Sequence, residues 1–271
     1  MNITAIGTQK GGTGKTTMTF NLAGVLAETK KVLCIDMDPQ CNLSNNLGID
    51  ITVKNSFSSR DIFENSEEDP NNLVVYHPVE QLPNLDIIPS NIYMFETELV
   101  IINRAARERI LVNYIEDNME FFSQYDHILI DTNPSMSILN QNAFLAADSL
   151  ILVTDADDNS KVGLELFMHL WGRIRRDLRK PDNVKALILN RAKLDTNTTR
   201  DILEYFHKHD ELGPLLIPQI IRAKEVYKNA AANRVPINML KPSDKAKKKD
   251  ILEASGEIRK AVDFLVERGI F

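Results

Sequence analysis

The chain has 271 residues, of which 43% are hydrophobic and 26% are charged, and this is ordinary globular composition with enough length for a buried core. The formal net charge of −6 argues against a protein whose whole surface binds nucleic acid, although a local basic patch is compatible with it. Two cysteines are too few for a disulfide framework, no apolar run is long enough to span a bilayer, and a strand-like run follows Met1 where a signal peptide would stand, so we expect a soluble cytoplasmic protein.

Apolar runs of strand length alternate along the chain with helical stretches. The runs are mostly continuous, as expected of strands that are buried on both faces. The predicted strands are Ile3–Ile6, Val32–Ile35, Leu85–Ile88, Ile128–Ile130, Leu150–Val153, Leu187–Leu189 and a short one at Leu215–Ile217. The predicted helices are Thr16–Glu28, Glu98–Phe122, Ile138–Ala147, Val162–Arg179 and Thr198–His209. This alternation indicates an α/β fold with a doubly wound, mostly parallel sheet flanked by helices.

Two segments depart from the alternation within what we expect to be a single domain over residues 1–271. Residues 50–80 are polar and acidic, and we expect them to form a surface excursion. Residues 222–260 hold eleven Lys or Arg and five Asp or Glu, so this segment carries +6 and the rest of the chain −12. Such a split is often only a solvated face, and a basic C-terminal region that contacts an anionic partner is the alternative.

A glycine-rich loop, GTQKGGTGKTT, follows the first predicted strand and precedes the first predicted helix. This order is typical of a P-loop, in which backbone amides and a helix N-terminus surround phosphate oxygens. In it Lys15 reaches the phosphates as a charge and the Thr16 hydroxyl ligates magnesium. The predicted nucleotide-binding residues of this loop are Gly11, Gly12, Thr13, Gly14, Lys15, Thr16 and Thr17.

The loop also departs from the common P-loop pattern. Gln9 stands where the first glycine is expected, and Lys10 precedes the glycine pair. A second lysine is more useful if it reaches a phosphate from outside, for instance across a two-fold axis, as an arginine finger does in trans. We therefore predict that Lys15 serves the nucleotide of its own chain and Lys10 that of a partner chain.

Five stretches, in this order, resemble the ParA/MinD family of dimeric ATPases. KGGTGKTT resembles its deviant Walker A motif, VLCIDMDPQCNLS its Asp-x-Asp-Pro-Gln segment, and YDHILIDTNPS its Walker B motif. The stretches NAFLAADSLILVTDADDNSKVGLELF and LIPQIIRAKEVYKNAAANRVPI continue the resemblance, which spans nearly the whole chain. It implies a P-loop fold, ATP and Mg²⁺ as cofactors, and ATP hydrolysis.

Three aspartates end predicted strands, at the edge of the sheet where ligands bind in open α/β folds. A carboxylate at this edge can orient an attacking water or hold a magnesium ion. The resemblance implies that Asp38 positions the hydrolytic water and that Asp36 supports it and the metal. It also makes Asp131 the Walker B aspartate, which binds magnesium together with Thr16. The alternative is that acidic residues merely start the turns after strands.

The resemblance assigns further contacts nearer the C-terminus. Asn190 is at a position that often contacts adenine, and Pro218 matches a position that packs near the base. Arg222 corresponds to a position used for nonspecific DNA contact. Lys224, Lys245 and Lys248 lie in the same basic region without such a motif match. Iron–sulfur relatives pair cysteines downstream, and this sequence has no matching pair, which argues against electron transfer.

The resemblance implies a DNA-partition ATPase as the leading function. ATP would drive formation of a homodimer that binds DNA without sequence preference, and a centromere-binding, ParB-like partner would stimulate hydrolysis. Because the loop begins almost at Met1, we expect the short form of the family, in which the partner binds the operator. We expect it in the cytoplasm, associated with the nucleoid, and not on a membrane.

Two other functions stay open. A membrane-cycling positioning ATPase of the MinD type needs a C-terminal amphipathic helix that is rich in Lys and Arg on its polar face. The end of this chain mixes acidic and basic residues, and its apolar positions are typical of a helix that packs on a core, namely Ile251, Ile258, Val262 and Leu265. The third function is a nucleotide-gated adaptor whose bound ATP only fixes its shape, which failure to bind DNA would indicate.

Overall fold

A computed structural model of the chain describes residues 1–52 and 57–271, and in these ranges seven strands form one sheet. The strands are β1 (Asn2–Gly7), β2 (Val32–Asp36), β3 (Val75–Tyr76), β4 (Leu85–Ile88), β5 (His127–Asp131), β6 (Ser149–Asp155) and β7 (Val184–Asn190). Their order is β3-β4-β2-β5-β1-β6-β7, and every neighbouring pair is parallel except β3 with β4. The predicted doubly wound, mostly parallel sheet is confirmed.

Helices lie on both faces of this sheet. They are α1 (Lys15–Leu26), α2 (Asn42–Asn46), α3 (Ser59–Glu64), α4 (Pro70–Leu73), α5 (Met94–Ile101), α6 (Ile110–Asp117), α7 (Met119–Phe122), α8 (Ile138–Ala146), α9 (Asp158–Asp177), α10 (Asn197–Lys208), α11 (Val226–Ala232) and α12 (Lys248–Glu267). Short 3₁₀ turns occur at Arg107–Arg109, Gly213–Leu215 and Ile237–Met239.

The strands divide their side chains between two hydrophobic clusters. In β2, Cys34 belongs to one cluster and its neighbours Leu33 and Ile35 to the other, because successive side chains of a strand point to opposite faces. The first cluster includes side chains of α1 and α12, and the second includes Phe144 and Trp171 of α8 and α9. Burial on both faces explains why the strand sequences are continuously apolar.

The register aligns the carboxyl ends of the central strands. Asp131 of β5 pairs with Asp36 of β2 and with Ile6 of β1, and Asp155 of β6 pairs with Asn190 of β7. The polar residues that end these strands therefore meet at one edge of the sheet, which is where the loop after β1 also lies. This edge is where open α/β sheets bind ligands.

Two predicted elements are wrong. The helix expected over Glu98–Phe122 is interrupted, since α5 ends at Ile101, Ala106 has a left-handed φ of +51°, and α6 begins only at Ile110. The strand expected at Leu215–Ile217 is a 3₁₀ turn followed by a single parallel bridge between Leu187 and Leu216. At the interruption before α6, Asn142 of α8 accepts from the Leu111 amide and donates to the Arg107 carbonyl, so tertiary hydrogen bonds replace helical ones there.

Residues 50–80, expected to form a surface excursion, contain α3, α4 and β3 in their described part. Ile62, Phe63 and Leu73 are buried and belong to the second hydrophobic cluster. Residues 53–56 lie outside the described ranges. The described part of this segment therefore contributes to the core as well as to the surface.

The C-terminal helix α12 packs on α1. The apolar positions expected to face a core are all buried in the first hydrophobic cluster, namely Ile251, Ile258, Val262 and Leu265. On the polar side, Arg259 donates to both carboxylate oxygens of Glu28 in the chain segment that follows α1, each at 2.6 Å. Within residues 1–52 and 57–271 no helix has the length and apolarity needed to cross a membrane.

Candidate functional site

The loop between β1 and α1 forms the floor of a cleft of about 890 Å³. Gly12 and Gly14 have φ values of +78° and +90°, a region that residues with a Cβ rarely adopt. Gly14 precedes α1 without a side-chain cap, so the first amides of the helix have no capping side chain and are available to a ligand. The backbone around the start of α1 is therefore suited to an anion, as a P-loop requires.

Lys15 opens α1 and is nearly buried, with an exposed fraction of 6%. Burial lowers the pKa of its ammonium, while the nearby charges of Asp131 and Asp38 act in the opposite direction. In the part of the chain that the structure describes, this ammonium makes no hydrogen bond and no ion pair within 4.0 Å. The hydroxyl of Thr13 is likewise buried without a hydrogen-bond partner. A buried cation and a buried hydroxyl without close partners fit a bound anion such as a phosphate.

Asp131 connects the sheet edge to the first turns of α1. Its Oδ2 accepts a hydrogen bond from the Thr16 hydroxyl at 2.7 Å, and its Oδ1 accepts one from the Thr19 hydroxyl at 2.9 Å. The residue is fully buried, and burial raises the pKa of its carboxyl to about 6. A hydroxyl and a carboxylate held together beside a phosphate cradle are oxygen donors of the kind that Mg²⁺ takes. These two residues therefore fit the expected metal.

Asp36, which we expect to support Asp38 and the metal, is hydrogen-bonded to the loop that follows β2. Its Oδ1 accepts from the backbone amide of Asp38 at 3.1 Å, and its Oδ2 accepts from the amide and the hydroxyl of Ser44 at 2.9 and 2.7 Å. Both oxygens are thus occupied, and the side chain is fully buried. Burial, together with the charge of Asp131, raises the pKa of its carboxyl to about 7. The geometry makes Asp36 the residue that holds the loop from Asp38 to Ser44, and its support of the metal stays a prediction.

Asp38 lines the cleft. Its backbone amide is held by Asp36, and its Oδ1 accepts from the backbone amide of Gln40 at 2.9 Å. Burial raises the pKa of its carboxyl, opposed by the hydrogen bond from Gln40 and by the charge of Lys15. The side chain is therefore fixed at the wall of the cleft, in the same cavity as Lys15 and Thr16.

Lys10 does not line this cleft. Its ammonium lies 3.0 Å from Asp155 Oδ1 and 3.1 Å from Asp157 Oδ1, and it donates to the Ser160 hydroxyl at 3.2 Å. These residues belong to the end of β6 and the start of α9. The structure therefore places the two lysines of the loop in different surroundings, Lys15 at the start of α1 and Lys10 against the acidic β6–α9 turn.

The two residues expected near an adenine base line two neighbouring grooves, which share Arg222. Asn190 lines the cleft, but its Nδ2 donates to the carbonyl of Thr13 at 2.8 Å. Pro218 lies in a separate groove beside α12, with Leu194 among its neighbours. Sequence reasoning missed Arg191, whose Nη1 donates to the carbonyl of Gly12 at 2.6 Å. The only signal for it was a cation directly after the asparagine that ends β7.

The four basic residues predicted to contact DNA fall into two pairs. Arg222 and Lys224 lie on the rim of the cleft and are ion-paired with α12. Arg222 contacts Glu257 through Nε and lies 3.2 Å from Glu253, and Lys224 lies 2.7 Å from the same Glu253 oxygen. The other pair, Lys245 and Lys248, is exposed before and at the start of α12. Ion pairs with glutamates of α12 thus offset much of the positive charge of Arg222 and Lys224.

Comparison with known proteins shows which proteins this chain is similar to. A family model described as "AAA domain" matches residues 1–184. The virulence plasmid ParA family protein pGP5-D of Chlamydia psittaci is 31% identical over 257 residues, which cover 92% of this chain and 91% of that protein. The uncharacterized protein Rv1708 of Mycobacterium tuberculosis is 31% identical over 207 residues, and the match covers 74% of this chain but only 61% of that protein.

A solved structure shares the fold. The putative plasmid partition protein of Borrelia burgdorferi B31, bound to AMPPNP, superposes with a TM-score of 0.74 over 97% of this chain and 98% of that one, at 24% identity. The match to the family model, the extent of the match to the Chlamydia protein and the arrangement of Lys15, Thr16 and Asp131 agree. The chain belongs to the ParA family of P-loop ATPases.

Proposed function

We propose that the chain is a DNA-partition ATPase, in which residues 1–271 act as one ATPase domain that uses ATP and Mg²⁺. The observation that carries the proposal is the 2.7 Å hydrogen bond between the Thr16 hydroxyl and Asp131, directly beside the buried ammonium of Lys15. This is the arrangement that a nucleotide with its metal needs at the start of a P-loop helix. Membership of the ParA family supports the same activity.

We assign separate roles in ATP hydrolysis to the glycine loop, Lys15, Thr16 and the three aspartates. The amides around Gly12 and Gly14 and the ammonium of Lys15 bind the phosphates, and Thr16 with Asp131 holds the metal. Magnesium, when bound, shields the phosphate charge and favours transfer of the terminal phosphoryl group. Asp38 accepts a hydrogen bond from the attacking water and orients it. Asp36 acts one step away, by fixing the backbone of Asp38.

We propose that the active form is a homodimer and that the loop is a deviant Walker A motif, with Lys10 acting on the nucleotide of the partner chain. Lys10 is exposed enough to leave its ion pairs, with 27% of its side chain accessible. Exposed ion pairs contribute only about 1 kcal/mol or less each, so docking of a second chain can compete with them.

The dimer is proposed to bind DNA without sequence preference through Arg222, Lys224, Lys245 and Lys248. The local charge of +6 over residues 222–260 supports this, because phosphate neutralisation supplies nonspecific affinity. By analogy with the partition proteins of its family, a ParB-like, centromere-binding partner stimulates hydrolysis. We infer a cytoplasmic location at the nucleoid.

The structure gives no support to a MinD-like membrane cycle. A membrane-bound amphipathic helix needs its apolar face for lipid, whereas that face of α12 is buried against α1 and the sheet. A nucleotide-gated adaptor has the same cleft, and it differs from a partition ATPase in having no affinity for DNA.

The experiment is a salt titration of affinity for random-sequence DNA, in ATP and in ADP, with the parent protein and with Arg222→Ala. We expect parent binding in ATP that falls steeply with salt, weak binding in ADP, and loss of binding in Arg222→Ala with ATP-dependent dimerisation retained. Parent protein that fails to bind DNA at low salt in ATP would reject the partition function. Unchanged binding by Arg222→Ala would reject only the proposed contact.

A further inference from the structure

Two consecutive residues at the end of β7 hold two consecutive carbonyls of the glycine loop. Asn190 Nδ2 donates to the Thr13 carbonyl at 2.8 Å, and Arg191 Nη1 donates to the Gly12 carbonyl at 2.6 Å. Consecutive side chains of an extended strand point to opposite faces. Arg191 departs from the extended conformation, with a φ of +54° that few residues other than glycine adopt. This turn allows both side chains to serve the same loop.

The direction of a carbonyl fixes the direction of an amide. In a trans peptide unit the C=O and N–H bonds point to opposite sides. The carbonyl of Gly12 shares its peptide unit with the amide of Thr13, and the carbonyl of Thr13 shares its unit with the amide of Gly14. When β7 holds these two carbonyls, the two amides point away from β7. Amides aimed in a common direction are what a phosphate cradle requires.

We propose that Asn190 and Arg191 are positioning residues that aim the amides of Thr13 and Gly14 before a nucleotide binds. This inference rests on the proposed binding of ATP at the loop. It gives Asn190 a task on the P-loop itself in addition to any contact with a base. It also gives a task to Arg191, whose guanidinium acts through the loop and not on the phosphates.

The close fit between Gly14 and Asn190 supports the proposal. A Cβ placed on Gly14 would lie 2.3 Å from Asn190 Nδ2, which is closer than non-bonded atoms approach. Gly14 also has a φ of +90°, so both the conformation and the contact require a residue without a side chain. The loop is thus built to lie directly against the end of β7.

The first test is equilibrium binding of Mg·ADP and Mg·ATP to the parent protein, Arg191→Ala, Arg191→Gln and Lys185→Ala. Lys185 is the control, because it is an exposed cation of the same strand, β7, outside the lining of the cleft. Loss of one hydrogen bond should weaken both nucleotides about three- to tenfold in Arg191→Ala. Arg191→Gln keeps a neutral donor and should recover part of the affinity, and Lys185→Ala should bind nearly as the parent does.

The salt dependence of nucleotide affinity distinguishes a positioning role of Arg191 from direct attraction of the phosphates by its charge. The loss in Arg191→Ala should persist as ionic strength rises, because the hydrogen bond to the Gly12 carbonyl acts at 2.6 Å, far inside the screening length of salt. If Arg191→Gln is as weak as Arg191→Ala and the loss disappears in high salt, Arg191 attracts the ligand by charge and the proposal is wrong. Equal affinity of Arg191→Ala and the parent would also overturn it.

A second measurement needs no nucleotide. Amide hydrogen exchange over residues 8–14 should be faster in Arg191→Ala and in Asn190→Ala than in the parent, with unchanged exchange in Lys185→Ala. Unchanged hydrogen exchange in Arg191→Ala would contradict the positioning role proposed for Arg191. Parent protein that binds neither nucleotide would reject the proposed function, and the exchange result would still decide whether β7 orders the loop.

Discussion

The ammonium of Lys10 lies 3.0 Å from the carboxylate of Asp155 and 3.1 Å from that of Asp157, both in the same chain. Burial acts against the charged form, but hydrogen bonds to these two carboxylates prevail and raise the pKa of Lys10. The lysine therefore stays protonated and is held by its own chain. For it to act on a partner chain, these pairs must open.

The double variant Asp155→Asn, Asp157→Asn should strengthen the ATP-bound dimer, because Lys10 no longer has to leave two ion pairs. Since exposed pairs are weak, we expect a gain of about three- to tenfold in the dimerisation constant. Sedimentation in the presence of ATP measures it. Lys10→Ala in the same background should cancel the gain, and a double variant that dimerises like the parent would show that the pairs do not restrain Lys10.

Lys10→Ala alone should bind ATP and lose hydrolysis and dimer stability. When Lys10→Ala chains are mixed with Lys15→Ala chains, each mixed dimer should retain at most one competent site, with ATP held by the Lys10→Ala chain and Lys10 supplied by the other. Phosphate release across a range of mixing ratios reports this complementation. Hydrolysis by pure Lys10→Ala at the parent rate would contradict a role across the interface.

Asp38→Ala should bind ATP but hydrolyse it slowly, so that an ATP-bound dimer accumulates. The carboxylate lines the cleft and is fixed by the amide of Gln40, which suits it to orient a water molecule. A loss of about a hundredfold or more in phosphate release is the expected size for a residue in this role. Sedimentation beside the rate assay separates lost chemistry from lost binding, and a parent-like rate would remove Asp38 from the mechanism.

Glu253→Gln should strengthen DNA binding. Its carboxylate lies 2.7 Å from Lys224, 3.2 Å from Arg222 and 3.9 Å from Lys249, so one acidic residue offsets three cations. Its removal should raise affinity for DNA about three- to tenfold at moderate salt and steepen the salt dependence. Glu267→Gln, an equal change of charge at the exposed far end of α12, is the control. Weaker or unchanged binding by Glu253→Gln relative to this control would place the DNA contact elsewhere.

The stability of the nucleotide-free protein should depend on the buried pair Asp36 and Asp131. Burial raises the pKa of Asp36 to about 7 and that of Asp131 to about 6, so the folded state holds protons that the unfolded chain has released. Stability from this source is present below pH about 4 and is lost as the pH rises towards 7. Relative to the parent, Asp131→Asn should therefore gain roughly 1.4 kcal/mol in the free energy of unfolding between pH 5 and pH 8. Urea unfolding at the two pH values measures this, and parallel pH profiles would contradict the shift.

The main strands and the P-loop could be predicted because their signals are local. Continuous apolar runs give β1, β2, β4, β5, β6 and β7, and the order of strand, glycine loop and helix gives the cleft. The interruption after Ile101 could not be predicted, since Asn103–Arg109 contains no glycine or proline and has good helix formers. The surroundings of Lys10 and Arg222 depend on carboxylates about 145 and 35 residues away, which no local pattern relates to them.

The different roles of Asp36 and Asp38 also depend on contacts that no local sequence pattern reveals. Asp36 ends β2 and Asp38 follows two residues later, so the two look equivalent in the sequence. Yet Asp36 is enclosed by the backbone of Asp38 and by Ser44, while Asp38 lines the cleft. Only the path of the chain from Asp38 to Ser44 distinguishes them.

The most direct test of the account is phosphate release from Mg·ATP by the parent protein, Lys15→Ala and Lys185→Ala. Lys15 is the buried cation of the P-loop, and Lys185 is an exposed lysine on β7 that serves as a control for the loss of one charge. We predict slow release by the parent, a parent-like rate in Lys185→Ala, and loss of both nucleotide binding and hydrolysis in Lys15→Ala. ATP hydrolysis that persists unchanged in Lys15→Ala would contradict the assignment of this cleft as the ATPase site.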